Sequence, residues 1–208
     1  MIRILTRTLA AAAAVAALGG CALLSSPEPV NLYRFGAAPD ADVGASGAPA
    51  GQVQVAMRRP EFVEAARDDR ILGVTGTDAA YIKGARWVAS ADVLFRDALE
   101  DAFAAEAERV RLTGPRELTR VGQTLDIDVR TFEARYAAPG AVPTATIVAR
   151  VRLLNAQERT VAAERIFAVE RPASANRVSA IVAAFDAATR ELNSQILAWT
   201  DQNARQAD

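Results

Sequence analysis

Few residues in this chain combine the types and spacings that chemistry requires. Asp126, Asp128 and Arg130 stand at i, i+2 and i+4 of an alternating segment, which would set two carboxylates on one strand face for a metal or for proton transfer. No third acidic partner lies nearby and Arg130 competes for the charge, so a solvated sheet face is the better reading. Asp97, Glu100 and Asp101 share a helix face with Asp92, Arg96, Glu106 and Glu108, and read as an ordinary wet surface in which Asp92 supports Arg96 at i+4. Arg58 and Arg59 form a cationic pair that could meet a phosphate or an acidic partner. Arg86-Trp87 sets a guanidinium beside an indole, a side chain suited to half-wet contacts with a partner or a lipid. The plainer reading of Trp87 is packing at the approach to a helix. Trp199, in phase with Leu192 and Ile196, reads as core or edge of core.

The counts exclude more than the spacings suggest. The 208 residues contain no histidine and one cysteine, Cys21. Ser-His-Asp and Cys-His catalysis, a disulfide and a cysteine-rich zinc site are therefore excluded. A carboxylate-dependent glycosidase would need paired acids in an aromatic-lined cleft, and the aromatics are 6% of the chain with no such clustering. No catalytic residue, metal or bound cofactor is expected. Lys and Arg number 24 against 25 Asp and Glu, which leaves no electrostatic footprint for nucleic acid. All the basic residues but Lys83 are arginines, a compositional bias that should not be read as an arginine-based site.

Cys21 has a context of its own. Arg3 and Arg7 precede Leu9–Leu18, an uninterrupted apolar run. As a helix it would span about 15 Å, half of the roughly 30 Å hydrocarbon core of a bilayer, so it reads as a signal peptide rather than a transmembrane anchor. It ends in Leu18-Gly19-Gly20-Cys21, which resembles the bacterial lipobox: an apolar residue, two small ones, then the cysteine that is acylated. The alternative is a free cysteine after an ordinary signal peptide, but a lone thiol is a liability in an exporting compartment. The expectation is a diacylglyceryl and N-acyl group on Cys21, which would hold essentially for good. Ala22, in place of an aspartate after the cysteine, is compatible with sorting to the outer membrane.

Residues 1–20 are thus expected to be removed, residues 21–29, with Pro27 and Pro29, to form a short tether, 30–202 to form one domain and 203–208 a polar tail. Alternation predicts strands at 30–35 and 52–57, the latter ended by Pro60. Residues 36–51 read as a loop, 61–67 as a short turn or helix, and 70–74 and 80–82 as brief strands. Phe95, Leu99 and Phe103 recur at i, i+4 and i+8 of a helix at 90–108 with Ser90 as its N-cap. A short strand at 110–113 leads to three long ones at 124–136, 144–155 and 160–171, in which Leu125, Ile127 and Val129 oppose Asp126, Asp128 and Arg130. A final helix at 174–202 carries Val178, Ile181, Phe185, Leu192 and Ile196 on one side. The order of elements predicts an α+β fold, an antiparallel sheet with two long helices on one face.

The Leu32-Tyr33-Arg34-Phe35 strand, the Arg59-Pro60-Glu61-Phe62 corner, the Arg86-Trp87 pair, the Asp-Val-Arg-Thr-Phe-Glu strand at 128–133 and the Ile181–Phe185 helix, together with Cys21, are similar to the ABC-type transport auxiliary lipoprotein component family, which includes the paraquat-inducible C-type lipoproteins. The resemblance implies a non-catalytic periplasmic lipoprotein anchored to the outer membrane. It would serve an ABC permease, its ATPase and a substrate-binding protein of the Mce type in moving phospholipid or another hydrophobic molecule between membranes. A homo-oligomer, such as a ring around a tubular partner, is compatible with that role. The rival expectation is an outer-membrane assembly or chaperone-type lipoprotein that binds a protein client.

Overall fold

The computed structural model describes residues 29–36, 51–114 and 121–205. The expected signal peptide, the lipobox residues Leu18, Gly19, Gly20 and Cys21, nearly all of the tether and most of the 36–51 loop lie outside the described residues. The strands are β1 (Asn31–Tyr33), β2 (Val53–Met57), β3 (Glu61–Phe62), β4 (Arg70–Thr75), β5 (Asp78–Trp87), β6 (Val110–Thr113), β7 (Gln123–Tyr136), β8 (Thr144–Asn155) and β9 (Val161–Pro172). The helices are α1 (Glu64–Arg67), α2 (Ala91–Glu106) and α3 (Val178–Asn203).

The sheet is organised about β7. Along one edge it pairs antiparallel with β8 over its whole length, from Gln123 opposite Asn155 to Arg135 opposite Thr144, and β8 pairs antiparallel with β9. Along its other edge it takes three short strands in succession, all parallel to it: β2 at Gln123–Leu125, β3 at Asp128–Val129 and β4 at Ala134–Tyr136. The β2 arm continues to β6, and the β4 arm continues through β5 to β1. The fold class is the expected α+β with a three-strand antiparallel meander, but the sheet as a whole is mixed. Strands from early in the chain enter it parallel because helices or other crossovers return between them and β7.

Period-two burial explains the long strands. Leu125, Ile127 and Val129 of β7, and Ile147, Ala149, Val151 and Leu153 of β8, are all essentially inaccessible. A bulge between Val129 and Thr131 inserts one extra residue in β7, so the inward set resumes at Phe132 and Ala134 instead of slipping to the wet face. Both long helices cover this inner face. Phe185 of α3 packs on Phe132 of β7 at 4.8 Å between ring centroids, and Phe95 of α2 meets Phe62 of β3 at 5.5 Å. Leu94, Phe95, Ala98, Leu99 and Phe103 form the buried stripe of α2.

Several boundaries move. β5 runs through Arg86-Trp87, so this pair ends a strand and does not lead directly into the helix, whose N-cap is Ser90. The C-terminal helix starts at Val178 and includes Asn203, and beyond it Ala204 is buried while the Arg205 amide donates to Gln123 Oε1 at 2.8 Å. The fold therefore continues past the expected start of the tail at 203. Asp201 ties α3 to β6 by accepting the backbone amides of Glu108 and Val110 at 3.1 and 2.9 Å.

Candidate functional site

An open cleft of about 670 Å³ forms where the β2–β3 connection, the end of α1 and the start of α2 meet, lined by Arg59, Pro60, Phe62, Arg67, Asp68 and Asp92 among others. β2 ends at Met57, ahead of Arg58-Arg59-Pro60, and the connection from β2 to β3 sets Arg59 against the first turn of α2. The Arg59 guanidinium donates to Asp92 Oδ2 through Nε at 3.0 Å and Nη2 at 2.5 Å. Asp92 is buried whereas Arg59 is two-thirds exposed, so the arginine acts as a lid on an interior carboxylate. Burial alone would push the Asp92 carboxyl up. The Ser90 hydroxyl and the Arg59 guanidinium outweigh it, and the net effect holds the carboxyl below its ordinary value. Its place in the first turn of a helix also favours the negative charge. Asp92 thus faces Arg59, not Arg96 as expected from i,i+4 spacing; Arg96 turns to Asp97 at 2.7 Å and to Glu100 at 3.9 Å.

The other cation of the cleft is also matched. Arg67 pairs with Glu64 at 2.9 Å, and just beyond it Arg86 donates from Nη1 to both oxygens of Asp69 at 2.9 Å. This arrangement can receive a charged or polar group of either sign by exchange of partners. It presents no activated nucleophile, and among the described residues no group of three or more metal-ligating side chains occurs.

On the outer face of the sheet, the expected solvated row is more ordered than its sequence suggests. Asp126 is buried beneath two guanidiniums: Arg152 Nε and Nη2 donate to its Oδ2 at 2.8 and 2.5 Å, and Arg58 Nη1 forms an ion pair with its Oδ1 at 3.6 Å. The register places Asp126 directly opposite Arg152 on β8, while Arg58 reaches over from the end of β2. Asp128 does remain with Arg130, at 2.9 Å. Arg150 and Glu164 pair across β8 and β9, and the Arg150 guanidinium holds the Glu164 carboxyl below its ordinary value. Asp126 and Asp128 are thus each engaged by an arginine, which competes with any other cation for their oxygens.

The four contact candidates separate. Arg58, Arg59 and Arg86 are exposed, each against a carboxylate. Trp87 is not a surface contact: it is 2% exposed, with Phe35 edge-on at 4.8 Å and Phe185 at 5.5 Å, because strand alternation turns it inward while Arg86 points out. Trp199 is core, edge-on to Phe167 at 6.1 Å. Sequence reasoning missed Asp92. The signal was its position two residues after the N-cap, where an acid is favoured for a reason other than solubility.

The model of the ABC-type transport auxiliary lipoprotein component family matches residues 33–197. No curated protein matches the chain. Among solved structures, a protein of the DUF330 family model from Xanthomonas campestris aligns with a TM-score of 0.70 at 26% identity, covering 84% of this chain and 96% of that one. A hypothetical protein from Chlamydia trachomatis shares the fold at a TM-score of 0.52 and 9% identity, over 73% of this chain and 97% of that one. The matched span runs from β1 to near the end of α3 and takes in the cleft and both faces of the sheet, and on that basis the chain belongs to the ABC-type transport auxiliary lipoprotein component family.

Proposed function

We propose that this protein is acylated at Cys21, sits on the periplasmic face of the outer membrane, and serves as the non-catalytic docking component of an ABC system of the Mce type that moves phospholipid or a similar hydrophobic molecule between membranes. The observation that carries the reading is the family match across residues 33–197 in a chain whose one cysteine closes a lipobox-like Leu18-Gly19-Gly20-Cys21. The charge arrangement supports it: the cleft and the outer sheet face offer paired arginines and carboxylates, the kind of groups that fix orientation and partner choice at a protein contact. A docking role asks for no bond-making residues.

Two measurements test it together. Metabolic labelling with a clickable palmitate analogue is expected to mark the wild-type chain and not the Cys21→Ser variant. Cross-linking in cells followed by affinity purification is expected to recover a permease, an ATPase and an Mce-type protein. Absence of label on wild type overturns the anchor, and recovery of outer-membrane assembly factors in place of transporter subunits overturns the transport role.

A further inference from the structure

The end of the β4–β5–β1 arm carries an apolar and cationic block. Leu32 on β1 is 62% exposed and Val88, just past β5, is 50% exposed. They are neighbours: Leu32 stands opposite Arg86 in the parallel pairing, and the Val88 amide donates to the Tyr33 carbonyl at 2.7 Å. Strand alternation sends Tyr33, Phe35 and Trp87 inward and turns Leu32, Arg34, Arg86 and Val88 to the same outer side. Arg34 is exposed, and among the described residues no carboxylate pairs with it. Val30, just before β1, is also 48% exposed, whereas Val142, Val161 and Ile166 lie on the β7–β8 loop and on β9, away from β1.

β1 is also the first strand of the fold, ten residues after Cys21. A linker of that length reaches at most about 35 Å even when fully extended. Whatever pose the domain takes, an acyl group on Cys21 would keep β1 close to the bilayer and at a high effective concentration against it. Two apolar side chains with an exposed guanidinium beside them suit the headgroup layer, where methyl groups reach the acyl boundary and the cation meets phosphate.

We propose that the Leu32–Arg34–Val88 face is a second, non-covalent membrane contact that lays the β1 end of the sheet against the phosphate-bearing surface of the bilayer and so fixes the orientation of the domain. The proposal rests on the acylation of Cys21 stated above. A second copy of the chain is the other conceivable occupant of this edge. The lipid surface is favoured by the tether, which acts on every molecule regardless of protein concentration.

The test uses the full acylated chain reconstituted in vesicles of phosphatidylethanolamine and phosphatidylglycerol. Because the thioether consumes the native thiol, Leu32→Cys, Val88→Cys and, as control, Ile166→Cys each take a single nitrobenzoxadiazole label. Labels at 32 and 88 are expected to shift to the blue and to be quenched by brominated lipid at least twofold more than the label at 166. Adding Arg34→Glu is expected to reduce the quenching at 32 while leaving the near-ultraviolet circular dichroism unchanged. Equal quenching at 32 and 166 in protein that floats with the vesicles overturns the contact and leaves the anchor intact. Excimer formation between pyrene labels at 32, without lipid quenching, overturns it in favour of a second copy. Failure of the wild-type chain to float overturns the anchor itself, and this inference with it.

Discussion

Asp92 sits in the first turn of α2 with Ser90 before it and Arg59 over it, an interior anion sustained by a neighbour from another element. Its carboxyl lies below the ordinary value of 3.8, so the folded chain prefers the ionised form more strongly than the unfolded chain does. The resulting stability is fully present above that ordinary value and drains away as pH falls through the lower folded one. Asp92→Asn is expected to cost about 1.5–3 kcal/mol at pH 7, the range for hydrogen bonds to charged groups. Urea unfolding should show the gap between variant and wild type closing as the pH is taken below 3.8; a gap that persists unchanged at pH 3 would assign the cost to packing. Arg59 is 33 residues away in sequence, which is why helical spacing alone turned Asp92 toward Arg96. Asp126 repeats the lesson, since Arg152 and Arg58 reach it through strand register and strand order, neither of which periodicity encodes. Side chains whose environment is local, such as Phe95, Leu99 and Phe103, were legible without the structure.

At the scale of elements, the segment leaving β1 passes through a narrow place. Phe35 enters the core, and Gly36 follows at φ +66 with its amide donating to Asp186 Oδ1 of α3 at 2.8 Å. A Cβ there would stand 2.4 Å from the Ala98 Cβ of α2. Gly36 is thus the point at which β1 is pinned between the two helices, and both its backbone conformation and its missing side chain are needed. Gly36→Ala is expected to cost about 1–2 kcal/mol for the left-handed conformation, with a further ~1–3 kcal/mol for overpacking. Combined with Ala98→Gly, the loss should fall short of the sum of the two single losses by about 1 kcal/mol or more, a coupling that a double-mutant cycle in urea measures. The strands and helices themselves were legible because their burial follows periods of 2 and 3.6. Parallel insertion of β2, β3 and β4 on one edge of β7 was not, because alternation reports which face is buried and says nothing of which strand lies alongside.

For the whole molecule, that insertion makes the folded state depend on contacts remote in sequence. β2 pairs with β6 and β7, β1 with β5, and Gln123 at the start of β7 holds the amide of Arg205 at the end of the fold. Loop closure must precede the reward of these contacts, so refolding from urea is expected on the millisecond-to-second scale or slower. Stopped-flow tryptophan fluorescence reports it directly, because Trp87 and Trp199 lie in separate aromatic clusters of the core. A single microsecond phase would mean that helix formation, not sheet assembly, limits folding. Fold class and the run of elements were legible at this scale as well, since they follow from burial and order; the topology was not.

The sheet also has a border with consequences outside a single molecule. β9 is twelve residues long, pairs with β8 on one side and, among the described residues, with no strand on the other. A free strand of that length is a template for joining one molecule to the next. The charges along it, Glu164, Arg165, Glu170 and Arg171, closed by Pro172, oppose such growth through desolvation cost and a missing donor. Proteins confined to a surface meet their copies far more often than proteins free in three dimensions. If the chain is held at a membrane as proposed, these five residues would bear on whether neighbouring copies slide past each other or fuse into a continuous sheet.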